Sequence, residues 1–135
     1  MTHWAAKYVG VGYTEAGMCW GLVQSCCLER LGVEMPAIGV GAADDQTAAI
    51  KRAVVGWRRH PGPRPLADDV VVMTGPHGPH VGYAVEADGS VGVLHAYGVV
   101  EAGRSRGAVV FDPWPEVARR GFRDFEFWRR TQCNS

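Results

Sequence analysis

The sequence has no CxxC pair, no apolar run long enough to cross a bilayer, no internal repeat and no excess of either charge. Each absence excludes something. The four cysteines, Cys19, Cys26, Cys27 and Cys133, lack the short spacing of a zinc knuckle or a thioredoxin-type redox pair. No segment approaches the ~18 consecutive apolar residues of a membrane-spanning helix, so membrane insertion is not expected. Fourteen basic and fourteen acidic residues cancel. No long-range field therefore favours nucleic acid or an anionic membrane surface as partner. Met1-Thr2-His3-Trp4 shows no basic stretch leading into an apolar one, so no secretory signal is expected. The expectation is synthesis in the cytoplasm, where thiols stay free.

What is present is an ordinary globular balance: 135 residues, 47% hydrophobic and 21% charged. That length fits one domain, residues 1–135. Eighteen glycines, roughly double the usual ~7%, predict many turns and close backbone approaches. Residues 3–9 read as a short helix. From Cys19 to Leu31 the apolar positions Leu22, Val23, Cys26, Cys27 and Leu31 follow the helical period, with Gly32 as the stop. A second helix is expected from about Asp45 to Trp57, capped by Asp44 or Asp45, with Ile50, Val54 and Trp57 as its apolar stripe. His60 to Pro65 reads as a loop. Strands are then expected at Val70–Met73 and at His80–Val85. The latter is joined through a turn at Ala87–Ser90 to Val91–Ala96. Further strands are expected at Val99–Ala102, at Ala108–Phe111 and around Phe125–Phe127. Helices followed by a run of antiparallel strands make an α+β arrangement.

Cys19 is the main candidate for chemistry. It opens the first long helix, where unpaired N–H groups and the helix dipole favour a thiolate and can hold an oxyanion. The alternative is a small buried hydrophobe, the reading preferred for Cys26 and Cys27 inside the same helix. His80 starts a strand, and His95 ends the next one. Closure of the hairpin at Asp88-Gly89 places His95 near Gly82 and His80 near Tyr97. The two histidines then share one face as a base and the group that orients it. His77 lies between Gly and Pro residues and reads as a turn residue. A metal site on Cys19, His77, His80 and His95 lacks any short ligand spacing, so neither metal nor cofactor is expected.

At these residues the chain resembles the NlpC/P60 family of papain-like cysteine peptidases, and within it the phage branch associated with tail genes. The matching segments are Cys19-Trp20-Gly21-Leu22-Val23, Leu31-Gly32-Val33-Glu34-Met35-Pro36 and Asp69-Val70-Val71-Val72-Met73. They continue with His80-Val81-Gly82-Tyr83-Ala84-Val85 and Val93-Leu94-His95-Ala96. The resemblance implies a papain-like fold with N-terminal helices packed on an antiparallel β-sheet. It implies Cys19 as nucleophile, His80 as base, His95 as third polar residue, and Tyr13 and Trp20 on the substrate side. The implied activity is hydrolysis of peptide bonds in peptidoglycan stem peptides, with phage tail or baseplate proteins as partners and a virion or tail particle as destination. Two departures stand out. The family usually has Asp directly before the cysteine, where this chain has Met18, and the loop Thr14–Gly17 is short. They motivate a second expectation, a catalytically idle structural tail-tip or tail-assembly component of the same fold.

Overall fold

The computed structural model describes residues 3–13, 18–36, 43–76, 78–101 and 104–130. A 3₁₀ helix at Trp4–Tyr8 precedes strand β1 (Gly12–Tyr13), helix α1 (Met18–Leu31) and helix α2 (Ala43–Ala53). Then follow β2 (Arg58–His60), β3 (Val70–Gly75), β4 (Gly78–Ala87), β5 (Ser90–Glu101) and β6 (Arg104–Pro113). Helix α3 (Trp114–Arg119) and strand β7 (Arg123–Arg129) are the last described elements. The class is α+β. Seven strands form one sheet in the order β1-β6-β5-β4-β3-β7-β2, and every neighbouring pair is antiparallel.

Local chemistry accounts for the main boundaries. Gly32, at φ 67°, ends α1 in the left-handed conformation that glycine adopts without strain. Asp88 and Gly89, at φ 53° and 80°, supply the two positive angles of a tight hairpin turn between β4 and β5. This fixes the register at Ala87↔Ser90 and Tyr83↔Leu94, the alignment that closure at Asp88-Gly89 predicts.

Alternation along the strands divides the apolar residues into two layers. Val70, Val72, Val81, Tyr83, Val85, Leu94 and Ala96 face α1 and α2, meeting Trp20, Val23, Cys26, Cys27 and Ile50. Val71, Met73, Ala84, Val93 and Phe127 face the other way, against Val117 of α3 and Phe122. Asp69, fully buried at the start of β3, joins β3 to β7 and to the preceding loop. Its carboxylate accepts from the Leu66 N–H at 2.8 Å and from Arg129 Nε at 3.1 Å.

Several elements differ from the sequence expectation. The helix expected at residues 3–9 is a 3₁₀ helix. Helix α2 ends at Ala53 rather than Trp57, because the chain turns there through Val55 N–H to Arg52 O and Trp57 N–H to Val54 O. Trp57 still packs against the first layer. Strand β2 lies just before the stretch expected as loop, sharing only His60 with it, and is held by its distant partner β7. The strands expected at Val99–Ala102 and Ala108–Phe111 fall, over their described residues, in two longer ones, β5 and β6, paired from Gly92↔Pro113 to Glu101↔Arg104. Helix α3 follows Pro113 and has Pro115 in its first turn, where a missing N–H costs nothing.

Candidate active site

His80 sits in β4 opposite Met73 of β3. By strand alternation it shares the α3 face of the sheet with Gly82 and Ala84. His95 reaches the same face from β5, and there the two imidazoles meet. His80 Nε2 lies 3.0 Å from His95 Nδ1, with ring centroids 5.2 Å apart and planes at 83°. The sequence predicts this encounter, and the register of the hairpin produces it.

Two glycines make the encounter possible. A Cβ at Gly82 would fall 2.5 Å from Val93 Cγ1, 3.0 Å from the Leu94 carbonyl oxygen and 3.1 Å from His95 Cβ. A Cβ at Gly75 would fall 2.7 Å from Phe122 Cε1. Phe122 uses that space to stack on His80, with centroids 4.8 Å apart, and to present its face or edge to His95 at 5.2 Å. The His80 ring is thus fixed by a hydrogen bond on one nitrogen and by an aromatic plane.

Behind His95 stands Asp112 of β6. Its Oδ2 lies 2.7 Å from His95 Nε2, and both groups are buried. Arg120, just after α3, places Nε 2.7 Å from the same oxygen and donates from Nη2 to Oδ1 at 3.1 Å. The guanidinium also covers the Tyr97 ring at 4.5 Å. Asp112, Arg120 and Phe122 form the inner wall of the site, and none was singled out from the sequence. The signal for Asp112 was a carboxylate directly after the apolar run Ala108–Phe111.

Burial, helped by His95, lowers the pKa of His80 to about 3. Burial also lowers that of His95, outweighing the pull of Asp112 in the other direction. Both rings are therefore neutral near pH 7. An unfolded chain binds a proton at His80 below its ordinary value of 6.5, whereas the folded chain does so only near 3. Stability from this group is thus complete above 6.5 and lost progressively as pH falls toward about 3. A gap that wide is worth up to ~5 kcal/mol. Urea unfolding at about pH 7 and about pH 4.5 should show the native protein losing ~3 kcal/mol more than His80→Gln. Equal losses would mean that His80 is not held neutral.

Cys19 lies in the first turn of α1, packed against the α1 layer. The backbone N–H groups of Val81, Trp20 and Cys19 itself favour its thiolate, yet burial dominates and pushes the thiol pKa up. The activated thiolate expected from the helix start is therefore not the resting form, because desolvation outweighs the dipole. The Val81 contact brings the sulfur to the residue that follows His80. It does so in the stretch of β4 beyond Tyr83↔Leu94, where register with β5 has ended. Among the described residues no hydrogen bond joins Cys19 to His80, whose ring lies on the opposite face of the sheet. Cys26 and Cys27 are fully buried, as expected, with thiols pushed up to about 12. Among the described cysteines, Cys19 alone retains some exposure.

Trp20 requires correction. It is 3% exposed, and its indole N–H donates to the Pro36 carbonyl at 2.8 Å. It is a core residue that ties α1 to the chain after it, not a substrate contact. Tyr13 lies in β1 opposite Gly107, but its side chain, like that of Met18, is outside the described part. His77, Thr14–Gly17 and Cys133 lie outside the described residues. Comparison with family models, with curated proteins and with solved structures gives no match.

Proposed function

We propose that this chain is a cysteine hydrolase of the papain-like NlpC/P60 type, cutting amide bonds in the stem peptides of bacterial peptidoglycan as part of a phage or phage-like tail. The observation that carries the reading is the histidine pair. His80 Nε2 is engaged by His95 Nδ1 at 3.0 Å, which leaves His80 Nδ1 as the nitrogen available to a thiol. The Cys19 sulfur meets the N–H of the very next residue. The segments that resemble the family supply the substrate class.

In this reading the resting pair is a neutral thiol and a neutral imidazole. The Val81 N–H donates to the sulfur, and the S–H proton passes through a bridging water, where β4 has parted from β5, to His80 Nδ1 on the other face as the sulfur attacks the amide carbonyl. Backbone N–H groups of the first turn of α1 receive the oxyanion. Collapse breaks the C–N bond, and His80 returns its proton to the departing amine. Water then attacks the thioester with His80 again as base, releasing the acid and restoring the thiol.

Purified protein incubated with peptidoglycan should release stem-peptide fragments with new amino termini. Alkylation mapped to Cys19 by mass spectrometry should stop the release. A second reading, an idle structural tail component, is favoured by the raised Cys19 thiol and by the opposite placement of sulfur and imidazole. It predicts no fragments from any peptidoglycan, alkylated or not, and that result would remove the hydrolase assignment.

A further inference from the structure

The buried chain of polar groups behind His80 has a direction, and its origin lies outside the three residues implicated by the sequence. Asp112 is 3% exposed and His95 0% exposed, so no bulk water intervenes between them. A carboxylate held by a guanidinium accepts hydrogen bonds and has none to give. The His95 nitrogen facing Asp112 Oδ2 at 2.7 Å must therefore carry the ring's hydrogen. A neutral imidazole has only one, so His95 Nδ1 is an acceptor. The group facing it at 3.0 Å, His80 Nε2, must then be the donor. His80 in turn has its lone pair on Nδ1.

We propose that Asp112, clamped by Arg120, is the positioning residue that sets both histidine tautomers and so leaves the His80 lone pair on Nδ1 as a base. The role of that lone pair rests on the hydrolase reading, whereas the tautomers themselves do not. Arg120 acts one step further back. Its Nη2 donates to Oδ1 at 3.1 Å, and its Nε lies 2.7 Å from Oδ2 as an ion-pair contact without hydrogen-bond geometry, so the carboxylate is held chiefly through Oδ1 and by charge. Its stacking over Tyr97 at 4.5 Å holds the guanidinium in place.

The discriminating variant is Asp112→Leu with Arg120→Met, which keeps most of the volume, removes both acceptor oxygens and leaves no unpaired guanidinium. His95 Nε2 then has nothing to donate to, so the ring carries its hydrogen on Nδ1 and donates to His80 Nε2, which shifts the His80 hydrogen onto Nδ1 and removes the base. Long-range ¹H–¹⁵N spectra of the native protein should show both rings protonated at Nε2, and those of the double variant both at Nδ1. Peptidoglycan hydrolysis should fall by roughly 1,000-fold in kcat with KM little changed. Arg120→Met alone keeps the Asp112 acceptor and should keep the Nε2–H tautomers and part of the activity. Nε2–H signals that persist in the double variant, or an activity loss without a tautomer change, would reduce Asp112 to a structural role. Should the double variant fail to fold, the native spectra decide alone, since an Nδ1–H signal on either ring overturns the assignment. A native protein with Nε2–H tautomers but no hydrolysis would retire the enzyme reading and leave the Asp112 assignment standing.

Discussion

Replacement of Cys19 by alanine should abolish amide hydrolysis, a fall of at least ~1,000-fold, because the proposed mechanism places the acyl intermediate on that sulfur. The same variant should unfold within ~1–2 kcal/mol of the native protein, the cost of one small, partly exposed side chain at a helix start. That contrast is informative. Cys26 and Cys27 are fully buried in the same helix, so alanine there opens a void and lowers stability without removing the proposed nucleophile. Rates from peptide-fragment release, set beside urea midpoints for the three variants, separate chemistry from packing. If C19A cleaves as fast as the native protein, the sulfur at the head of α1 has no part in the reaction.

The second large effect is expected at Gly82. Valine there would drive a Cβ to 2.5 Å from Val93 Cγ1 and 3.0 Å from the Leu94 carbonyl oxygen. The latter is backbone and cannot swing aside, so β4 and β5 must separate. Overpacking of this kind costs ~1–3 kcal/mol, and the upper end applies where a strand rather than a side chain must move. A domain of this size should lose roughly 10 °C in Tm. The separation also pulls His95 away from His80, so hydrolysis should fall further than the thermal shift explains when assayed well below Tm. Scanning calorimetry and the peptidoglycan assay measure the two effects independently. An unchanged Tm would mean that the strands have slack at this point.

Much of this arrangement is legible in the residues themselves. Helix α1 follows from its apolar spacing and from Gly32. The hairpin β4–β5 follows from Asp88-Gly89, and with its register comes the meeting of His80 and His95. What escapes is non-local or set by competing forces. Strand β2 carries Arg58, Arg59 and His60 and exists because β7 is there to pair with it. Asp112 and Arg120 join the site across β6 and the turn after α3, a link with no short sequence spacing to announce it. Trp20 stands beside Cys19 in the chain and yet points into the core, because the next position along a helix is turned by about 100°. The state of Cys19 is a balance between a helix start that favours the thiolate and burial that opposes it. Sequence position shows only the first of these.

The two margins of the sheet are its shortest strands: β1, with two residues, and β2, with three. An open margin recruits neighbouring molecules by offering them a free row of N–H and C=O groups. Here each row is almost too brief to grip, and on one side it is guarded by the exposed cations Arg58 and Arg59. The long hydrophobic strands β3, β4 and β5 are shut inside, where they cannot template fibrils. Such margins give a second copy of the molecule little edge to pair with.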